Sequence, residues 1–90
     1  MTKGENRMKY MVIERFKPGK VEEVYRRYRE QGRMLPPGLT YLNSWLAEDR
    51  TRCFQLMETE RFELFEAWCA RWNDLIEFEV VPVEDSPTQN

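Results

Sequence analysis

The sequence predicts an α+β domain with the element order β-α-β-β-α-β, and three observations carry that prediction. Two stretches have apolar residues at helical spacing, four short runs are rich in β-branched and aromatic residues, and Pro/Gly clusters punctuate them. The clearest unit runs from Arg52 to Val83, read as a strand, an amphipathic helix and a second strand, and a similar unit precedes it.

Residues 1 to 7 are polar and patternless, which predicts a disordered extension. Lys9 to Phe16 (Lys-Tyr-Met-Val-Ile-Glu-Arg-Phe) predicts the first strand, with its pattern starting at Met8, and Lys17-Pro18-Gly19 ends it. A helix is expected from about Lys20 to Met34. Val21, Val24, Tyr25, Tyr28 and Leu35 recur at helical spacing, and Glu22–Arg26 and Glu23–Arg27 are favourably ordered i,i+4 pairs. Leu35-Pro36-Pro37-Gly38 breaks it.

Leu39 to Glu48 and Arg52 to Glu58 predict the next two strands, close enough to form an antiparallel hairpin. Thr59 is the expected N-cap of a second helix, whose face is marked by Phe62, Phe65, Cys69 and Trp72 and which ends near Asn73-Asp74. Leu75 to Val83 predicts the last strand, with Pro82 placing it at an edge or a strand end. This is the ferredoxin-like, split β-α-β order: a four-stranded antiparallel sheet with two helices on one face. The expected domain spans residues 8 to 84, and residues 85 to 90 form a polar, flexible tail.

Ninety residues with 41% apolar and 33% charged content fit one small domain. A chain of this size buries only about 60% of its unfolded surface, so pairing with a second copy is a natural remedy. The net charge of −2 and pI near 5.2 disfavour general nucleic-acid or membrane-surface binding. No apolar run approaches the roughly 20 residues of a membrane span, and the start lacks a signal-peptide core, so a cytoplasmic location is expected.

Strand parity divides the side chains between two faces. Met11, Ile13, Leu42, Leu46, Phe54, Leu56, Phe78 and Val80 are the expected partners of the helices. The other face then carries Tyr10, Val12, Glu14 and Phe16, Tyr41, Asn43 and Trp45, Cys53, Gln55 and Met57, and Glu77, Glu79 and Val81. That set is too aromatic for water and too polar for an ordinary core, which marks a binding site, a dimer interface, or both.

Within it Glu14 is the candidate proton carrier, because a carboxyl on a partly enclosed face has a raised pKa. A salt-bridged or solvated strand-end residue is the plainer alternative. Asn43 and Gln55 have amide hydrogens able to hold a carbonyl or enolate oxygen, or to satisfy each other. Tyr10, Tyr41 and Trp45 supply the aromatic wall of a pocket or the apolar part of an interface. Trp68 and Trp72 read as packing residues, and Arg26, Arg27, Arg29 and Arg33 as a solvated face of the first helix.

The chain has no histidine. Cys53 and Cys69 are sixteen positions apart on different elements, which is neither a redox pair nor a zinc spacing, and they read as free, buried thiols. No metal site and no cofactor are therefore expected.

The runs Met8–Glu14, Gly32–Leu39, Ser44-Trp45, Arg52–Glu58 and Trp72–Val83 together resemble a small, mainly bacterial family of unassigned function within the dimeric α/β-barrel superfamily. The resemblance covers nearly all of residues 8 to 83. It implies a homodimer built on the open sheet face, and a small organic molecule is expected in a pocket on that face, within the dimer barrel, or between sheet and helices. The superfamily includes cofactor-free monooxygenases, haem-degrading enzymes, chlorite dismutases, muconolactone isomerases and ligand-sensing domains, so fold alone does not choose an activity. Haem-binding members generally use a histidine ligand, which this chain lacks. The alternatives are a cofactor-free, monooxygenase- or isomerase-like enzyme using Glu14, a structural or assembly protein, and an RNA-binding module of the same topology. For the last, Arg52 and Phe54 match the stacking strand of RNA-recognition domains, but Leu56 and Thr59 replace its other aromatics.

Overall fold

The computed structural model describes residues 7–88, so the calls on the first six residues and the last two lie outside it. The order is β1 (Met8–Phe16), α1 (Val21–Gln31), β2 (Thr40–Leu46), β3 (Arg52–Thr59), α2 (Leu64–Ala70) and β4 (Ile76–Val83). The strands form one antiparallel sheet in the order β2-β3-β1-β4, the ferredoxin-like arrangement, and both helices lie on one face. Pro82 is on the edge strand β4, where its missing N–H costs no ladder bond on the outer side.

Both helices are shorter than their apolar spacing predicts. Gly32, at φ 68°, closes α1 by donating its N–H to the Tyr28 carbonyl, and Met34 also has positive φ, so the chain leaves the helix before Arg33. The second helix is flanked by tighter three-residue turns, Leu64 to Arg61 and Phe65 to Phe62 before it, Arg71 to Trp68 and Trp72 to Cys69 after it. Thr59 is therefore not its N-cap. Thr59 ends β3, is fully buried, and accepts the Arg61 N–H in the turn that precedes the helix.

The expected face assignment is inverted for β1 and β3. Tyr10, Val12 and Glu14 with Gln55, Met57 and Thr59 are buried under the helices, while Met11, Ile13, Phe54 and Leu56 line the open face. The register explains this. Glu14 is opposite Phe78 and Val12 opposite Val80, and Phe78 packs on Trp68 with ring centroids 5.4 Å apart. Sheet parity then carries every alternate residue of β1 and β3 to the helix side. In β4 the expected division holds, with Phe78 and Val80 covered and Glu77, Glu79 and Val81 open.

A register shift between Tyr41 and Asn43 splits β2. Tyr41, opposite Met57, and Ser44, opposite Gln55, face the helices, whereas Asn43 and Trp45 face outward opposite Leu56 and Phe54. Leu42, expected beneath the helices, is exposed at the bulge.

The core is built on Val12 and Met57 of the sheet and Phe65, Trp68 and Trp72 of the second helix and its following turn. Tyr10 meets the Phe65 ring edge-on at 5.0 Å. Gly38 has φ 98°, a backbone conformation that favours glycine, and an added Cβ would also press on Leu64 Cδ1 at 3.0 Å. Arg7, expected in the extension, is tied to the sheet by an ion pair with Glu58 at 3.1 Å. No described helix is long and apolar enough to cross a membrane.

Candidate functional site

Beneath the helices, at the end of the sheet where β1 leaves Glu14 and Phe16, is a cavity of about 360 Å³. Phe16, Val24, Tyr25, Tyr28, Trp68, Trp72 and Ile76 form its apolar and aromatic wall, and Glu14, Arg33, Ser44, Cys53 and Gln55 supply its polar groups. The cavity exists because α1 contributes only Val24 to the core, which leaves the sheet under its far side unfilled.

Glu14 projects into this space and is 6% exposed. Gln55, on the adjacent strand, donates from Nε2 to Glu14 Oε2 at 2.5 Å, and Arg33 donates from Nε to Gln55 Oε1 at 3.2 Å. Because a guanidinium can only donate, the Gln55 carbonyl must face Arg33 and its amide hydrogens must face Glu14. The chain of donors therefore has one direction, from Arg33 through Gln55 to the carboxyl. Glu14's other oxygen has no protein partner among the described residues, and no buried polar atom there is unsatisfied, so that oxygen opens onto the cavity.

Burial pushes the Glu14 carboxyl up to about 7, against the opposing pull of the Arg33 charge and the Gln55 hydrogen bond. A group with that pKa both accepts and returns a proton near neutral pH. Cys53, opposite Glu14 across the ladder, and Cys69 are half-buried and free. Burial, reinforced by the Glu14 charge, pushes both thiols up to about 11, so neither is a thiolate at neutral pH.

Arg33 is the residue that sequence reasoning misplaced. Its carbonyl accepts both indole N–H groups, from Trp68 at 2.9 Å and Trp72 at 3.0 Å, which draws the segment after α1 against α2. The side chain turns into the cavity, with its guanidinium carbon 3.6 Å from the centroid of the Tyr41 ring and 5.2 Å from that of Tyr28. By contrast Arg27 lies at the surface, in a two-point pair with Asp74 at 2.8 and 3.0 Å. The signal in the sequence was Gly32, which ends the helix just before Arg33 and removes it from the solvated face.

Of the six expected site residues, Glu14 and Gln55 come together, and Tyr41 stands beside them through Arg33. The Tyr41 hydroxyl shares a 2.7 Å hydrogen bond with Ser44. Tyr10 is buried among Phe62 and Phe65, away from the cavity. Asn43 and Trp45 lie on the opposite face, where Asn43 accepts its neighbour's Ser44 N–H and Trp45 is 50% exposed. Glu14 and Gln55, expected on the open face, thus line the cavity on the helix side of the sheet. Among the described residues no three His, Cys, Asp or Glu side chains gather as a metal site.

A model of the family described as a domain of unknown function, DUF3303, matches residues 8–88, and the chain belongs to that family. No curated protein matches it. The chain is similar in fold to a solved Bacteroides thetaiotaomicron protein assigned, by name alone, as an antibiotic biosynthesis monooxygenase. The identity is 16%, the TM-score 0.58, and 96% of each chain is covered. At that identity the likeness shows the shared fold.

Proposed function

We propose that this domain binds a small organic molecule in the cavity between sheet and helices, and that Glu14 exchanges a proton with it. The observation behind this reading is a buried carboxyl poised near neutrality, with one oxygen held by Gln55 and the other open to an aromatic-walled cavity. The same arrangement serves a ligand sensor, which needs only the pocket, and a cofactor-free enzyme, in which Glu14 removes a proton from the substrate. The activity in the name of the Bacteroides protein is compatible with the second. Titrating small aromatic compounds while following backbone amide shifts tests the pocket. The expected shifts cluster on Glu14, Arg33, Ser44 and Gln55, and shifts confined to Asn43, Trp45 and Phe54 would contradict it.

The open face supports the second part of the proposal, a homodimer. Met11, Ile13, Leu56 and Val81 make an apolar centre, Trp45 stands exposed beside it, and the Arg15–Glu79 pair at 3.1 Å borders it. Two copies related by a twofold axis would cover this patch. Glu77 and Glu79 on the same face disfavour the RNA-binding alternative. Ile13→Lys is expected to convert a dimer into a monomer in light scattering at micromolar concentration. A wild-type chain that is already monomeric there removes the dimer from the proposal.

A further inference from the structure

Arg33 differs from the arginines that are held in ion pairs. Arg7, Arg15, Arg26, Arg27 and Arg61 each lie within 4.0 Å of a carboxylate. Arg33 has no such partner among the described residues, although it is half-buried and lines the cavity. Its Nε is used on Gln55, and one Nη1 hydrogen makes a long contact of 3.4 Å to the Tyr28 hydroxyl. The remaining N–H groups of the fork have no acceptor among the described residues. Arg33 is half-buried and meets the Glu14 carboxyl only through Gln55, so part of its desolvation cost stands, and stacking on Tyr41 and Tyr28 offsets only some of it.

The fork is also held in place. The Trp68 and Trp72 indoles fix its backbone, and Tyr41 and Gln55 fix its head. A cation rigidly oriented toward an aromatic cavity, with its donors unspent, is complementary to an anion attached to a ring.

We propose that the cavity selects planar aromatic molecules bearing a single carboxylate, and that Arg33 makes the selection by receiving that carboxylate. This rests on the reading of the cavity as a ligand site and adds the class of ligand. The ring packs against the aromatic wall formed by Phe16, Tyr28 and Trp68, and the carboxylate supplies in direct contact the counter-charge that Glu14 offers only through Gln55.

The groups facing Glu14 set the charge balance. Arg33 faces it from the segment after α1, Cys53 from β3, Tyr25 and Tyr28 from α1, and Cys69 from α2. Burial keeps the two thiols and the Tyr25 phenol protonated near pH 7, so Arg33 and Glu14 carry the formal charge. With Glu14 protonated the cavity is cationic, and with Glu14 ionised it is neutral overall. A bound carboxylate repels an ionised Glu14 and favours its protonated form. Binding therefore takes up a proton, and affinity falls as pH rises through the range where Glu14 ionises.

Calorimetric titration with 2-naphthoate and its uncharged isostere 2-naphthamide tests the proposal. At about pH 6, wild-type protein is expected to bind the acid about tenfold or more tightly than the amide, the size of one charge-assisted contact. Arg33→Gln is expected to abolish that preference. If that variant does not fold, two other measurements still decide. Wild-type affinity for the acid should fall by about tenfold per pH unit above Glu14's pKa, and Glu14→Gln should bind it with no such dependence. Equal binding of acid and amide by wild type, with both in the cavity, would overturn anion selection and leave the ligand site standing. Binding of neither would overturn both.

Discussion

Glu14→Gln is expected to be more stable than the wild type by about 3 kcal/mol at pH 8, with the pH-dependent part of that advantage gone at about pH 4. The wild-type carboxyl has an ordinary value of 4.5 and is pushed up to about 7 in the fold, with desolvation the largest cause. Below about pH 4.5 both folded and unfolded chains carry the proton, and the group favours neither. Between 4.5 and about 7 the folded chain holds a proton that the unfolded chain has released, so stability falls as pH rises. Above that window both states are ionised and the full cost of a buried carboxylate remains. Gln keeps the shape and a carbonyl for the Gln55 amide to donate to, and it does not ionise. Urea unfolding of both proteins at one fixed concentration across this pH range provides the check. Parallel curves would mean that Glu14 is hydrated in the fold.

Trp68→Ala is expected to cost about 3–5 kcal/mol, enough to leave much of so small a domain unfolded. The indole is 1% exposed, packs on Phe65 and Phe78, and donates to the Arg33 carbonyl. Its removal opens a void directly beside the cavity and frees one of two indole anchors on Arg33. Trp68→Phe keeps most of the ring and leaves Trp72 as the remaining donor, so its loss is expected to be nearer about 1–2 kcal/mol. The urea midpoints of the two variants measure both effects. A loss below about 1 kcal/mol for the alanine variant would show that this part of the core packs differently.

Element order was legible in the sequence because its cues are local. Pro18-Gly19 and Pro36-Pro37-Gly38 end elements unambiguously, and β4 alternates cleanly, with Ile76, Phe78 and Val80 set against Glu77 and Glu79. The face assignment failed in β1, where both faces are apolar: Tyr10, Val12 and Phe16 on one, Met11 and Ile13 on the other. Local pattern cannot rank those two sets, but pairing does. Once β4 is set beside β1, Phe78 carries Glu14 to the helix side. The bulge in β2 is a second non-local feature, since nothing in Tyr41-Leu42-Asn43 marks it, and it separated Tyr41 from Asn43 and Trp45. Glu14 and Gln55 were placed on one face for a sound reason, since both sit at matching parity on strands that prove adjacent, although the cover came from helices and not from an open face. Arg33 was missed because Arg and Glu interleave up to Glu30 and continue past Gly32, so charge pattern alone extends the helix face beyond its end.

The central claim is that a carboxyl enclosed at the end of this cavity trades its proton near neutral pH. Carbon-13 NMR of the Glu14 side-chain carboxyl, followed from acid to alkaline pH and assigned by its loss in Glu14→Gln, measures this directly. The structure predicts a midpoint near 7, moving upward when an aromatic carboxylate is bound. A midpoint at the ordinary glutamate value near 4.5, unmoved by such a ligand, would contradict it.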